Sequence, residues 1–250
     1  MFIFKIKYTI FLSLIFINLG CEIKRDAIGA DNEIRVICSE IDKVNVESFL
    51  KLIFNDTLYC PEPEPFYVLK FSSPSTYSKL KKQSNVIIAA IDRDSTNSGL
   101  KLINNILPAQ QIKSMESNDP IILAKDVHAK HQLFMVINAS SYKKLIGIVD
   151  EKRNYIKKNF NDQFLDRQSR FIFSKNNVNK LRDSLLLEFG WSLDLPWGWD
   201  IVKKVSDSNF VWLGKEMPFQ WIGIGWSKGN LVENELSVGS YLWEWPKNNY

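Results

Sequence analysis

Asn85-Val86-Ile87-Ile88-Ala89-Ala90-Ile91 decides the fold. From Val86 onward no polar side chain interrupts it, and an apolar run of that length between polar flanks predicts a central strand buried on both faces. The chain on either side alternates between strand and helix patterns. Residues 34–37, rich in β-branched side chains, predict a first strand. Val46, Phe49, Leu50, Ile53 and Phe54 then recur at helical spacing, with Asn45 placed to cap the helix start.

Pro61-Glu62-Pro63-Glu64-Pro65 cannot be helical, because each proline pushes its predecessor into extended backbone. It leads into a strand over 66–71, a short helix over 77–82 and the central run. Residues 92–98 read as a polar turn, 100–115 as a weak helix, 121–124 as a short apolar piece and 133–137 as another strand. Tyr142, Leu145, Ile146, Val149, Ile156 and Phe160 line one face of a helix over 142–160. A second helical region spans 163–189, broken near Ser174 and stopped by Gly190. From Trp191 the composition turns aromatic, with strands expected at 191–195, 210–213 and 219–226. The whole predicts an α+β fold: a mixed or antiparallel sheet with packed helices, forming a single domain over 33–250 in two coupled halves, about 33–160 and 161–250.

The first twenty residues carry Lys5 and Lys7 ahead of an apolar run over 8–19, the order of a secretory signal peptide. The run is shorter than the roughly 20 residues that a membrane-spanning helix needs. Asn18-Leu19-Gly20-Cys21 resembles the lipobox at which bacterial lipoproteins are cleaved and acylated on the cysteine. Cys21 is therefore the expected lipidation site, with residues 22–32 as a polar tether. The expected place is the cell envelope, with the chain lipid-anchored to a membrane, the outer one first. In such an oxidising compartment Cys38 and Cys60 are either a disulfide or two thiols.

Composition narrows the function classes. Hydrophobic residues make up 45% and charged residues 24%, which suits a globular core. The formal net charge is +4, and removing Lys5 and Lys7 from the 32 cations leaves 30 against 28 acids, or +2. Those charges are interleaved rather than striped, so no nucleic-acid partner is expected. No P-loop, dinucleotide glycine fingerprint or nucleophile elbow is present, and no cofactor is expected.

Three segments carry a family resemblance: Glu64-Pro65-Phe66 running on to Asn85-Val86-Ile87-Ile88, then 124–132 with its two histidines, and the helix ending at Gly190 with the aromatic strand after it. On these the chain from Glu33 to Trp226 resembles an uncharacterised family of envelope lipoproteins catalogued as domain of unknown function 4837. The resemblance implies a lipoprotein, in keeping with Cys21, and no activity.

Chemistry-bearing residues are few. His128 and His131 are the only histidines; with Asp126 beside them they fall short of the three protein ligands of a catalytic zinc, so no metal is expected. Asp92 and Asp94, flanking Arg93 just past the central strand, are where open sheets often place functional groups, and they are the carboxylates of the alternative reading, a hydrolase-like envelope enzyme. All eight tryptophans lie from Trp191 to Trp245. Trp212, Trp221 and Trp226 alternate as core strand residues would. Trp197 with Trp199, and Trp243 with Trp245, are two apart and set in Pro- or Gly-rich surroundings, the pattern of an exposed aromatic surface for an envelope protein or polysaccharide. The expected function is a binding or structural component of the envelope.

Overall fold

The computed structural model describes residues 24–59, 61–91, 93–117, 119–173, 178–205, 209–217 and 219–226. The chain divides into two compact units, residues 1–168 and 169–250. Residues 1–23, with the expected signal peptide and Cys21, and also Cys60, Asp92, Trp243 and Trp245, lie outside the described residues.

In the first unit the strands β1 (Glu33–Cys38), β4 (Val68–Ser72), β5 (Asn85–Ala90), β6 (Ile121–Lys125) and β7 (Leu133–Asn138) form one sheet in the order β4-β1-β5-β7-β6. Four of them run parallel, and β6 closes the edge as an antiparallel partner of β7. The apolar run is β5, at the centre, and its residues alternate between two cores. Ile87 and Ala89 face the helix Glu40–Ile53, where Val46, Phe49, Leu50 and Ile53 are buried, together with Ile156 and Phe160 of the helix Val149–Phe173. Val86, Ile88 and Ala90 face Ile103 of the helix Ser98–Ile106 and Met115 of the helix Ala109–Ser117. Period-two geometry turns one continuous apolar sequence into the floor of both layers. Phe160 is clamped edge-on by Phe54 at 4.9 Å and Tyr67 at 6.2 Å between ring centres.

Several boundaries differ from the sequence expectation. The first helix starts at Glu40 behind Ser39, with Glu40 and Asp42 in its first turn, so Asn45 lies inside it; acids near a helix N-terminus supply the start that Asn45 seemed to offer. The helix expected over 142–160 is two, Tyr142–Gly147 and Val149–Phe173, with Ser141 Oγ accepting from Lys144 N at 3.3 Å to cap the first. The proline-rich segment is half of an exposed hairpin, β3 (Pro63–Pro65) against β2 (Thr57–Tyr59). Residues 25–28, read as tether, are bonded into the fold: Ala27 N donates to Lys130 O, Lys130 N to Arg25 O and Ser84 N to Ile28 O.

The sheet reverses direction of winding between β1 and β5, the position where open sheets usually leave a ligand crevice beyond the strand ends. Here side chains fill it. Asn97 Nδ2 donates to Asp42 Oδ2 at 2.7 Å, Ser39 Oγ donates to the same oxygen at 3.2 Å, and all three residues are buried. Asn97 Oδ1 also accepts from Gly99 N and Leu100 N, capping the helix Ser98–Ile106. Gly99 permits that approach, since a Cβ there would sit 2.8 Å from Ala89 O.

The second unit is an antiparallel sheet of β8 (Asp200–Val205), β9 (Phe210–Lys215) and β10 (Gln220–Gly225), with β9 in the middle. Val211 and Leu213 of β9 pack with Leu185 of the helix Val178–Phe189 and with Leu195. Residues 191–195 are not a strand. Trp191, Leu193 and Leu195 turn inward in alternation, as strand residues would, but the segment pairs with no strand among the described residues, and β8 is the strand beside β9. With a mixed sheet in one unit, an antiparallel sheet in the other and helices packed on both, the fold is α+β.

Candidate functional site

The outer face of the small sheet carries a hollow of about 600 Å³ whose lining includes Trp197, Val202, Gly214, Met217, Phe219 and Trp221. Its floor is a missing side chain. In register, Gly214 of β9 lies between Asp200 of β8 and Trp221 of β10. A Cβ on Gly214 would come within 2.7 Å of Val202 Cγ2 and 2.9 Å of Trp221 Cδ1, so only glycine leaves both in place. Met217 and Phe219 come from the connection between β9 and β10, and Trp197 from the chain ahead of β8, where Gly198 takes a positive φ of 95°.

The rings around this floor stand in solvent: Trp221 is 63% exposed, Phe219 78% and Trp197 54%. Large apolar groups gathered this way mark a surface that meets a partner or ligand. Trp221 is held edge-on by Trp212 at 5.7 Å, and Phe219 tilts toward it at 6.5 Å, which fixes the ring planes. Asp200, Lys215 and Glu216 add charged groups to the lining. Flat rings with donors and acceptors beside them can stack on a planar or ring-shaped ligand and orient it.

The structure separates Trp197 from Trp199. Trp197 lines the cleft and also a second hollow of about 260 Å³ on its other side. Trp199 shares that second hollow and packs against the core of Leu185, Leu195, Val211 and Leu213. The chain turns at Gly198 instead of extending, so two-residue spacing does not put both rings on one face. The expectation that Trp221 is core is overturned by its exposure: β9 buries Val211 and Leu213, Ile222 and Ile224 of β10 pack partly buried against them, and Trp221 turns outward. Trp226 does pack at the core edge, against Trp191 at 5.4 Å.

A third hollow, of about 480 Å³, opens in the first unit among Tyr77, Lys81, Leu107, Ile122, His128 and Phe134. Tyr77 Oη and His128 Nε2 are hydrogen-bonded at 2.8 Å, with the donor set by the imidazole tautomer. Buried Gln132 holds the loop beneath them, donating through Nε2 to Lys81 O and Gln83 O, both at 2.7 Å, while its Oε1 accepts from His128 N at 2.8 Å. His128 and His131 therefore belong to the turn that enters β7 and not to a helix. His131 lies 3.4 Å from Asp166, away from the Tyr77 pair. Among the described residues no group of three His, Cys, Asp or Glu side chains could hold a metal ion.

Burial, then the charges of Lys81, Lys24 and Lys82, lower the His128 pKa below its ordinary 6.5, and burial raises that of Tyr77. A histidine whose folded pKa lies below its unfolded one stabilises the fold fully above pH 6.5, and this contribution disappears as pH falls through the lowered value. The His128 ring signal followed by NMR is expected to titrate with a midpoint below 6.5, and His128→Gln to flatten the loss of stability on the acid side. A midpoint above 6.5 would contradict this reading of the loop.

The remaining candidates are placed as follows. Asp94 is exposed; its Oδ1 accepts from Thr96 N and Oγ1, both at 2.7 Å, and these bonds lower its pKa. Arg93 donates to Glu116 at 2.8 Å. Cys38 is a buried free thiol, and burial, then Asp42 and Glu40, push its pKa up to about 12, so it stays protonated.

No helix among the described residues is long and apolar enough to cross a membrane. No curated protein and no solved structure matches the chain. The family described as Domain of unknown function (DUF8532) matches residues 27–173, more than half of the length, and the chain belongs to it. This corrects the resemblance to domain of unknown function 4837, which nothing else supports; a strand, short helix and strand around an apolar run is a pattern that many sheet proteins share. The match covers the five-stranded sheet and ends before the aromatic cleft.

Proposed function

We propose that the chain is a binding component of the bacterial envelope, exported by its first twenty residues and anchored through acylated Cys21, whose aromatic cleft takes a ring-bearing ligand such as an envelope polysaccharide. The cleft carries this reading: Trp197, Phe219 and Trp221 stand exposed around the side-chain-free floor at Gly214. Aromatic faces bind sugar rings through their apolar faces and leave the ligand hydroxyls to polar neighbours, here Asp200, Lys215 and Glu216. A partner protein is the other expected occupant, since exposed tryptophans favour interfaces.

The test follows tryptophan emission while the purified chain is titrated with envelope polysaccharides and peptidoglycan fragments. A saturable change is expected, because every tryptophan lies at or beyond Trp191. Trp197→Ala and Trp221→Ala are each expected to weaken it about tenfold, the loss of one aromatic anchor. Binding that survives both substitutions unchanged would remove the cleft from consideration.

A further inference from the structure

The hollow beside Tyr77 and His128 is independent of the aromatic cleft and lies in the other unit. Its walls are mostly aliphatic: Leu107, Ile122 and Val127 with the Phe134 ring. Its volume of about 480 Å³ falls within the range that small ligands occupy. The polar groups are gathered at the Tyr77–His128 pair, where Lys81 also lines the hollow. Lys24 and Lys82 are close enough to add their charge to His128, and Lys24 is fixed by donating to Asp126 O at 2.6 Å. Lys81 and Lys82 make no ion pair among the described residues, and the charges that act on His128 are those of Lys81, Lys24 and Lys82. Such a site has an apolar body and a cationic, hydrogen-bonding end.

We propose that this hollow binds a free monoanionic amphiphile, an aliphatic carboxylate whose chain lies along Leu107, Ile122 and Phe134 and whose head meets Lys81 and the Tyr77 hydroxyl. The built polar end separates it from a plain packing defect: the Gln132 side chain ties His128 N to the Lys81 and Gln83 carbonyls, and the His128 ring stands edge-on to those of Tyr77 and Phe134. An uncharged amphiphile would find the same walls but no partner for the lysine, and a cationic one would be repelled.

The experiment titrates the purified chain with decanoate, held below its micelle concentration, and with decanol, while NMR follows both histidine rings. A saturable shift of His128 with His131 unmoved is expected, with decanoate bound at least about fivefold more tightly than decanol, the upper range for a partly exposed charge pair. Lys81→Gln is expected to erase that preference and keep the fold, since Lys81 contributes to structure through its backbone carbonyl. Tyr77→Phe, which keeps the ring, should weaken decanoate and leave decanol unchanged. Equal affinity for the two probes, or no saturable shift, would overturn the proposal. So would a His128 response to anionic phospholipid vesicles without one to decanoate, because it would place the lysines on a membrane surface instead of in a ligand site.

Discussion

Asn97→Ala is expected to lower the unfolding free energy by about 2–4 kcal/mol, followed by far-ultraviolet circular dichroism in denaturant. Two losses add. The helix Ser98–Ile106 loses a cap that accepts from Gly99 N and Leu100 N, worth about 1 kcal/mol. Buried Asp42 loses the 2.7 Å bond to Asn97 Nδ2, and a buried polar group left short of a partner costs about 1–3 kcal/mol. Asn97→Ser separates the two, because serine caps a helix about as well as asparagine but is too short to replace the amide. It is expected to recover about 1 kcal/mol of the loss. A cost below about 1 kcal/mol for the alanine variant would mean that the clasp does not hold the ends of β1 and β5 together.

That clasp also shows how little position next to the central strand says about what fills the crevice. Position alone points to 92–94, because loops after buried parallel strands often carry function. What occupies the crevice is Asn97 and Asp42, from two segments 55 positions apart, and their pairing has no local signature. Asp94, by contrast, has a local explanation in Thr96, two residues on. The fold was more legible. The all-apolar Val86–Ala90 stretch announces burial on both faces, and the helical spacing of Val46, Phe49, Leu50 and Ile53 announces one of the covering layers. The parallel pairing of β1 with β4 and β5 is a long-range choice that neither pattern encodes.

The aromatic cleft was legible only in part. Clustering of tryptophan after Trp191 marks the region, and the glycine beside Trp197 marks a turn. Strand alternation, however, identifies two faces without saying which one is covered. Trp221 and Val211 both sit in regular strands, and only the packing of Leu185 and Leu195 on the Val211 face decides that Trp221 is the exposed one. Gly214 is likewise silent in sequence. Its role appears once Val202 and Trp221 are seen on either side of it.

Gly214→Val is therefore the sharpest test of the cleft, and it is expected to weaken a ring-bearing ligand by at least about a hundredfold, near 2.7 kcal/mol. Valine suits a central strand, so the ladder between β8, β9 and β10 should persist. The new Cβ would stand 2.7 Å from Val202 Cγ2 and 2.9 Å from Trp221 Cδ1, closer than carbon atoms can pack, so Trp221 must swing away. Overpacking of this kind costs about 1–3 kcal/mol, small enough to leave the unit folded when its stability is ordinary. A cooperative thermal transition in tryptophan emission checks that point independently of ligand. With the fold intact, two effects act together: the floor of the hollow rises by a side chain, and the ring that forms one wall leaves its place beside Trp212. Gly214→Ala should fall between the two, since alanine brings the same Cβ without the branches. Undiminished affinity in a folded Gly214→Val protein would show that the ligand does not use this face, and would leave the aromatic ring cluster without the role assigned to it.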